Sequence, residues 1–405
     1  MTASAGRPGR VLLTDGEFKH TLGIARALHA RGHEVHLVVR SRRAPAAHSR
    51  AVARTHFAPP PADASFAARL AEIARTLAPV SLVPVGDGSV RAAEALRGTR
   101  ATLGNGAGHG IALALPPPAS LALANDKAKT GEFARSLGVA TPGERVATTL
   151  EEALAAYRAL GPVVVVKGRH EAGVKQLRYV RREADVAAAF AVVRDASGEG
   201  PLVQQYVAGE GVAFFALYWD GRPRLTFMHR RIREWPPSGG SSTCAESLLN
   251  EPALDRAGRA LLDALAWHGV AMVEMKRAAD GRLVLMEINA KFWGSHDLAL
   301  AAGVDMPGEL VALLEGREAG EGERAAGESG AAAPAPRRVR FSWPLGGDLW
   351  HGLARPSALP RVLFDALWPG VAHSARLSDP IPLLYEVVQC VRSTPGAFRQ
   401  WRETR

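Results

Sequence analysis

The sequence predicts an open α/β domain at the N-terminus, then an α+β region, then a small C-terminal extension. Apolar strand patterns at 11–13, 34–39 and 81–85 alternate with helical patterns at 21–31, 64–77 and 89–96, which is typical of βαβ units. After residue 125, two apolar strand patterns flank Asp280-Gly281, a strong hairpin signal within an α+β region. Together these observations favour a mixed α/β and α+β fold of two or three domains.

The chain is long and apolar enough to bury a sizeable core. It has 405 residues, 47% of them apolar, and a mean hydropathy of −0.04. No stretch approaches the roughly 20 apolar residues that span a bilayer, and no secretory leader is recognisable. Two cysteines, Cys244 and Cys390, exclude a disulfide framework. We therefore expect a cytoplasmic protein without a transmembrane segment.

The formal charge of +10 invites a nucleic-acid interpretation, but the charge is unevenly placed. Residues 1–120 carry 15 basic and 7 acidic groups, residues 121–336 carry 25 and 28, and residues 337–405 carry 10 and 5. Only seven of the 50 basic residues are lysines. The basicity thus belongs to the two ends, and no nucleic-acid partner is expected.

The N-terminal domain, residues 1–120, offers loops where strands give way to helices. Ligands of open α/β sheets bind beyond the carboxyl ends of the strands, so Asp15, Gly16, Gly86 and Asp87 are candidate site residues. Ordinary strand-to-helix turns are the alternative interpretation. No G-x-G-x-x-G follows the first strand, which argues against a dinucleotide site.

The central region begins after the proline run 116–118. A helix is predicted over 127–137 because Gly138 is placed to end it. Apolar patterns predict the remaining elements in this order: a helix at 150–160, strands at 163–166 and 176–180, a helix at 183–193, strands at 202–207, 212–218 and 224–233, a loop at 236–243, a helix at 252–267, the hairpin, and helices at 295–302 and 307–314.

Two segments follow. Residues 316–338 contain almost nothing apolar larger than alanine and are predicted to be a disordered linker. Residues 339–405 hold four of the eight tryptophans and no lysine. This extension is interpreted as a cap on the preceding domain, with a polyanion-binding or membrane-surface segment as the alternative.

The hairpin carries the chemistry. A two-residue type I′ turn at Asp280-Gly281 places Glu274 directly opposite Glu287, with Asn289 on the same face. Facing carboxylates repel unless a cation lies between them, and two carboxylates with an amide oxygen suit Mg²⁺. Two solvated glutamates on an exposed sheet face are the alternative. The scarce lysines support a phosphate site, because Lys167 ends a buried strand and Lys127 begins a helix.

An ordered set of motifs resembles the ATP-grasp superfamily over about 121–315. The motifs are Asn125-Asp-Lys127, Val163-Val-Val-Val-Lys167, Val203-Gln-Gln-Tyr-Val-Ala-Gly-Glu210, His229-Arg-Arg-Ile-Arg-Glu234, Val273-Glu274 and Met286-Glu287-Ile-Asn289-Ala-Lys291. The resemblance implies a two-lobed ATP-grasp domain, with a small lobe at 125–208 and a large lobe at 209–315. It also implies that residues 1–120 are the Rossmann-like domain that precedes it.

The resemblance implies a role for each matching residue. Lys127 and Lys167 contact ATP phosphates, the hinge of Gln204, Gln205, Tyr206 and Val207 meets adenine, and Glu210 takes the ribose. Glu274, Glu287 and Asn289 hold Mg²⁺, as two ions. Strand alternation sends Arg231 and Arg233 to one face of their strand. One of these arginines meets the transferring phosphate, and Lys291 replaces a common arginine. The flap over the phosphates has one interior glycine, Gly173, so Lys175 is expected to substitute for its backbone.

The implied reaction is carboxylate activation as an acyl phosphate, followed by capture by an amine. Small-molecule carboxylate and amine substrates are the implied partners, and their identity is open. A homodimer is an assembly that the sequence allows. One rival reaction uses bicarbonate as the acceptor, and the rival class is an arginine-rich polyanion or membrane-surface binder. Candidate substrate contacts lie in three loops: Asp87; Gly239, Gly240 and Ser241; Trp293 and Ser295.

Overall fold

The computed structural model describes residues 9–97, 110–170, 177–317 and 336–403, apart from two side chains near the C-terminus. The chain divides into two compact units. Unit 1 comprises Met1–Leu115, Lys291–Gly346 and Leu363–Val391; unit 2 comprises Pro116–Ala290, Gly347–Val362 and Arg392–Arg405. This division differs from the predicted boundaries, since residues 291–315 group with the N-terminal region and the C-terminal extension contributes to both units. Most of the predicted linker, 318–335, lies outside the described residues.

Unit 1 contains the predicted open α/β sheet. Its five strands are parallel and follow the order β3-β2-β1-β4-β5. The apolar residues 11–13 of the central strand have no solvent exposure, which explains why the strand pattern was readable. The elements are β1 Arg10–Leu13, α1 Lys19–Ala30, β2 Glu34–Val39, β3 Arg54–Phe57, α2 Phe66–Leu77, β4 Val80–Val83, α3 Asp87–Glu94 and β5 Ile111–Ala112.

Unit 2 begins with a small α+β lobe. Four antiparallel strands in the order β6-β9-β7-β8 pack against helices around an apolar core that includes Val164, Val166 and Phe190. The elements are α4 Pro118–Asn125, α5 Lys127–Ser136, β6 Glu144–Val146, α6 Leu150–Leu160, β7 Val164–Lys167, β8 Leu177–Val180, α7 Val186–Ser197 and β9 Leu202–Gln205. A capping box of Thr149 and Glu152 begins α6 where the sequence predicts it.

The second sheet of unit 2 carries the hairpin. The strands of this sheet that lie in unit 2 are antiparallel and follow the order β14-β13-β10-β11-β12. The predicted loop 236–243 is shorter than expected, because the small polar residues from Ser241 onward form a strand. The elements are β10 Glu210–Trp219, β11 Arg222–Trp235, β12 Ser241–Leu248, α8 Pro252–Ala264, β13 Gly269–Arg277 and β14 Leu283–Asn289.

The hairpin reaches its predicted pairing by a different route. The Gly281 amide donates to the Ala278 carbonyl, and Gly281 has φ +84°, so the turn is a three-residue loop with a glycine bulge rather than a type I′ turn. Beyond it, Met275 pairs with Leu285, one position off the predicted register, and an irregularity at Met286 restores it. Glu274 therefore does lie opposite Glu287. The turn shifts the strand register by one residue, and the irregularity at Met286 shifts it back by one.

The C-terminal elements anchor in both units. In unit 1, the buried Trp343 donates from Nε1 to Asp297 at 3.1 Å. In unit 2, the rings of Trp350 and Trp401 both pack against the ring of Trp235. The elements are α9 His296–Ala301, α10 Met306–Leu314, β15 Arg340–Ser342, α11 Leu349–Ala354, α12 Leu359–Leu367, β16 Val371–Ala372 and α13 Ile381–Glu403. Within the described ranges, no helix has the length and apolar character needed to cross a membrane.

Candidate functional site

The facing glutamates of β13 and β14 each contact a cation. Arg231 Nη2 lies 2.7 Å from Glu274 Oε2, and Lys127 Nζ lies 3.6 Å from Glu287 Oε2. Asn289 Nδ2 donates to Glu287 Oε1 at 3.1 Å. Both glutamate side chains are 15% exposed. The like-charge pair is therefore compensated by side chains from two other elements, β11 and α5.

Arg231 has further partners besides Glu274. Its Nη1 contacts Glu234 Oε1 at 3.2 Å and donates to the Gly240 carbonyl at 3.0 Å. Burial opposes the charge of this guanidinium, but the carboxylates of Glu274 and Glu234 outweigh burial and raise its pKa. Arg231 is thus a fixed positive charge held between a metal-ligand candidate and a loop.

Lys167 is a buried cation at the end of β7, only 7% exposed. Burial and the neighbouring Lys127 lower its pKa to about 8, while Glu287, Glu144 and Glu274 oppose the shift. A lysine kept in such surroundings without a full counter-charge is suited to an incoming anion. Lys127 occupies the first position of α5, where helix N-termini favour phosphate.

The donor set at the hairpin fits a magnesium ion that also binds phosphate. Glu274, Glu287 and Asn289 offer carboxylate and amide oxygens, the ligands that Mg²⁺ prefers. Among the described residues, no three histidine, cysteine, aspartate or glutamate side chains are gathered into a metal-binding group. An ion held by this set therefore needs further oxygens, which nucleotide phosphates and water supply.

The predicted adenine hinge is partly engaged within the fold. The Gln205 amide donates to the Gly143 carbonyl at 2.8 Å and the Tyr206 amide to the Val163 carbonyl at 3.1 Å. Gln204 is buried, and its side-chain amide donates to Glu144 at 2.8 Å. Of the hinge, Tyr206 is the residue whose side chain is substantially exposed and aromatic.

Glu210, the predicted ribose ligand, begins β10 among arginines. Arg230 Nη1 lies 3.4 Å from Glu210 Oε1, and Arg277 Nη1 lies 3.6 Å from Oε2. Its side chain is 32% exposed. A sugar hydroxyl would share this carboxylate with two guanidinium groups.

The two arginines predicted on one strand face are separated by the structure. The pairing of β11 with β12 is irregular between Arg231 and Arg233, so simple alternation does not hold there. Arg233 is buried and makes a bidentate pair with Asp348, with both N···O distances 2.7 Å. Thr243 also donates to Asp348 at 3.0 Å. Arg233 thus has a structural partner in Asp348, whereas Arg231 contacts Glu274.

The loop of Gly239, Gly240 and Ser241 lies beside the same cluster. The Gly240 amide donates to Glu234 at 3.3 Å, and a Cβ on Gly239 would lie 2.5 Å from the hydroxyl of Tyr179. Tyr179 meets Tyr206 edge to face at 5.8 Å, and burial raises the pKa of its phenol to about 12. Tyr179 therefore links the hinge to the loop.

Unit 1 holds a second group of predicted site residues. Lys291 forms an ion pair with Asp87, which opens α3. Asp15 has a positive φ of 58° and accepts from the Gly86 amide at 2.8 Å. The loops named from the sequence after β1 and β4 therefore do meet, and Lys291 joins them.

Two buried histidines of unit 1 were not predicted. Both ring nitrogens of His20 and of His296 lack a hydrogen-bond partner among the described residues. Burial lowers the pKa of His296 to about 3; burial, then the nearby His296, Lys19 and Lys291, lower that of His20. Trp293 and Ser295, the candidates named from the sequence, are buried beside His296. Both imidazoles are thus kept neutral, and His20 lies near His296, Lys19 and Lys291.

Some predicted site residues lie outside the described structure, and some contacts of the site were not predicted. Lys175 and the flap residue Gly173 lie outside the described residues. Glu144, Tyr179 and Asp348 were missed by sequence reasoning, because each reaches its partner only through tertiary packing. Asp348 is the single acidic residue between Arg340 and Asp365, and this isolation was the one sequence signal that could have indicated it.

The chain is similar to known proteins in part of its sequence and in its fold. No family model matches the chain. Over 208 residues it is 27% identical to the D-alanine–D-alanine ligase of Pseudomonas entomophila, a match covering 48% of this chain and 64% of the ligase. The chain thus spans less than two thirds of this relative's length.

Two solved structures share the fold. N5-carboxyaminoimidazole ribonucleotide synthetase of Thermus thermophilus has a TM-score of 0.60 at 18% identity, with 82% of each chain covered. The biotin carboxylase domain dimer of Hydrogenobacter thermophilus 2-oxoglutarate carboxylase, solved with MgADP and bicarbonate, has a TM-score of 0.62 at 17% identity and covers 77% of this chain and 70% of that one.

These proteins all belong to one superfamily. The ordered motifs, the sheet orders of both units and the facing glutamates agree with it. The chain is similar to members of the ATP-grasp superfamily in sequence over about half its length, and it shares their fold.

Proposed function

We propose that this protein is an ATP-dependent carboxylate-amine ligase. It activates a substrate carboxylate with Mg-ATP, joins it to an amine, and releases ADP and phosphate. The main observation in support is that Glu274 and Glu287 face each other while Arg231 and Lys127 contact them. Such an arrangement of alternating charge is suited to a metal–polyphosphate complex.

The phosphates would be bound by Lys127, Lys167 and Arg231. Their positive charge faces Glu274 and Glu287, and Asn289 completes the oxygen set for Mg²⁺, which we propose binds as two ions. The metal supplies charge neutralisation between the β- and γ-phosphates. When a nucleotide enters, the phosphate oxygens replace the carboxylates as partners of the cations. Lys175 is proposed to cover the phosphates from the flap.

The base and sugar would lie at the hinge. Because the amides of Gln205 and Tyr206 donate within the fold, we propose that hinge carbonyls and Val207 meet the adenine. Gln204 holds Glu144 in place, Tyr206 stacks on the ring, and Glu210 accepts from the ribose. Arg233 is left out of this proposal because it is bound to Asp348.

Each unit by itself offers candidate substrate contacts. In unit 1, Lys291 binds the substrate carboxylate, with Asp87, Trp293 and Ser295 lining the position. In unit 2, the loop of Gly239, Gly240 and Ser241 contributes backbone groups. The carboxylate oxygen attacks the γ-phosphorus of ATP, the bond from that phosphorus to the β-bridging oxygen breaks, and ADP leaves.

The amine then completes the reaction. Its nitrogen attacks the acyl carbon, phosphate departs, and the amine proton goes to solvent or to the departing phosphate. No protein nucleophile takes part, so the buried Cys244 has no catalytic role. Excluding water protects the acyl phosphate from hydrolysis. We further propose a cytoplasmic homodimer, in keeping with the free cysteines and the dimeric carboxylase domain.

The test measures ADP release with pairs of amino acids and small acids, with mass spectrometry of the product. We expect a condensed product whose mass equals both substrates minus water. ADP release that requires bicarbonate and no amine would instead identify a carboxylase, the rival reaction. No ADP release with any pair contradicts the proposal.

A matched pair of variants isolates the metal ligands. Calorimetric titration of Mg²⁺ in the presence of ADP should show binding to the wild type and to Glu151→Gln, a change on the exposed face of α6. Glu287→Gln should weaken it at least tenfold, because one of two carboxylates is lost. Unchanged binding in Glu287→Gln removes this residue from the metal site.

A further inference from the structure

A stripe of exposed apolar side chains runs along the first half of α13. Ile381, Leu384, Val388 and Val391 recur at three- and four-residue spacing, so they share one helical face. Their relative exposures are 44, 65, 48 and 68%, and Leu377, just before the helix, is 100% exposed. These five residues, the C-terminal apolar stripe, project from the surface of unit 1.

The opposite side of the same segment is firmly held. The ring of Tyr385 stacks on that of His48 at 3.6 Å. Asp379 is buried and accepts from Arg26 Nε at 2.9 Å and from the Ser49 hydroxyl at 2.5 Å. The stripe is therefore exposed on an anchored helix.

The exposed charge next to the stripe is positive. Arg50 Nη1 donates to the Ser378 carbonyl at 3.3 Å, and His48, stacked on the helix, contacts the Arg42 carbonyl at 2.6 Å. Arg42, Arg43, Arg50 and Arg376 are all exposed. Residues 376–391 contain two acidic groups, and neither offsets this positive charge. Asp379 is paired with Arg26, and burial raises the pKa of Glu386 to about 6.

We propose that the C-terminal apolar stripe docks on an anionic lipid surface. The stripe would enter the headgroup layer, while Arg42, Arg43, Arg50 and Arg376 contact lipid phosphates. Apolar side chains on one helical face bordered by arginines are the composition of interfacial helices. Arginine binds phosphate through two parallel hydrogen bonds, and its stem adds apolar contact. This inference does not depend on the proposed ligase activity.

Charge and shape favour lipid over the other occupants. In a two-fold contact between copies of this chain, the same surface meets itself, so the arginine border would face its own charge. An acidic protein partner would satisfy the arginines, but a fully exposed Leu377 projects outward instead of lining a groove. A fluid bilayer accepts projecting side chains.

The test is co-sedimentation of the full-length protein with extruded vesicles. Vesicles of 70% phosphatidylcholine and 30% phosphatidylglycerol should bind the protein at about 0.1 M salt and lose most of it at about 0.5 M. Pure phosphatidylcholine vesicles should bind it at least fivefold more weakly. Equal binding to both vesicle types, or none to either, overturns the proposal.

Variants separate the apolar and the cationic contributions. Leu377→Asp with Leu384→Asp should lower the affinity about tenfold or more, because two leucines leave the headgroup layer. Arg42→Gln with Arg43→Gln should lower it about tenfold and flatten the salt dependence. Val192→Asp, at a 41% exposed position on α7 of unit 2, is the matched control and should bind like wild type.

Light scattering distinguishes the remaining occupants. A dimer that dissociates in the leucine variant while vesicle binding is absent would assign the stripe to a second copy. Binding to poly-glutamate as tight as to vesicles, and unaffected by the leucine changes, would assign the arginines to an acidic partner. Either result overturns the proposal.

Discussion

Arg231 and Arg233 are two residues apart on the same strand, yet their surroundings differ. Arg231 is shared among Glu274, Glu234 and the Gly240 carbonyl, and the glutamate side chains remain 15% exposed. Arg233 has a bidentate contact with one carboxylate, Asp348, which has no exposure. We interpret the several part-exposed partners of Arg231 as groups that a ligand could replace, and the buried Asp348 as the partner of a charge that holds the fold.

The buried ion pair of Arg233 and Asp348 should be important for stability. Asp348→Asn removes the buried carboxylate that binds the guanidinium of Arg233 through two short contacts, so the free energy of unfolding should fall by about 3–5 kcal/mol. Equilibrium unfolding in urea measures this, with Asp280→Asn on the exposed hairpin tip as the control. Replacing both partners, as Arg233→Met with Asp348→Leu, should recover most of the loss. A single-variant loss below about 1 kcal/mol would contradict the assignment.

The shared cluster should be important for activity. Arg231→Lys keeps the charge but loses the guanidinium fork, and ADP release should fall about a hundredfold, or about 2.7 kcal/mol in activation free energy. Arg233→Lys should lower stability while activity per folded molecule stays within about threefold. Steady-state ADP release combined with urea unfolding of both variants measures the difference. Equal effects of the two changes on both quantities would remove the distinction.

The pH dependence of nucleotide binding probes the same cluster. Burial lowers the pKa of Lys167 to about 8, so the ammonium loses its proton as pH rises through that value. Bound phosphates favour the charged form, and ADP affinity should therefore weaken by up to about tenfold for each pH unit above 8. Calorimetry at pH 7, 8.5 and 9.5 tests this. Lys167→Arg, which keeps its proton, should remove the dependence; an unchanged slope would exclude Lys167 as its source.

The sign for stability follows from the same shift. The pKa of Lys167 is lower in the folded chain than the ordinary value of 10.5, so the unfolded chain binds more protons between pH 8 and 10.5. This group alone therefore makes the folded state more stable as pH rises through that window, while nucleotide binding weakens.

The smallest expected effect lies at the hairpin tip, away from both clusters. Gly281 has φ +84°, but a Cβ there would meet nothing within 4 Å. Gly281→Ala should therefore cost only the backbone strain, about 1 kcal/mol of unfolding free energy, and Gly281→Asn less. Both variants should keep Mg²⁺ affinity if the bulge at Met286 fixes the glutamates. A large loss of Mg²⁺ affinity would show that the tip fixes them.

Local signals predicted most of the fold. Strand β2 and helix α6 were predicted to the residue, because each has an apolar period and a readable end. Strand β12 was missed because its buried residues include serine, threonine and glutamate, whose place in a strand depends on neighbouring strands. The sequence could not anticipate that the C-terminal extension contributes to both units.

The contacts of the candidate site were predictable where residue type and spacing point the same way. Glu274 and Glu287 followed from strand pairing, and the rarity of lysine indicated Lys127 and Lys167. The alternation argument for Arg233 failed because irregular pairing in β11 interrupts the two-residue period. His20 and His296 are helix residues far apart in the chain, and only their burial without hydrogen-bond partners makes them notable.

The cancelling offsets of the hairpin make chain length itself a constraint on the site. An insertion or deletion of one residue between Met275 and Glu287 would turn the carboxylate of Glu287 to the opposite face unless a bulge appeared or vanished with it. Related chains should therefore change length here only in compensated steps. In an alignment, a lone gap within 276–286 would indicate that the two carboxylates no longer face each other, even where both glutamates are still present.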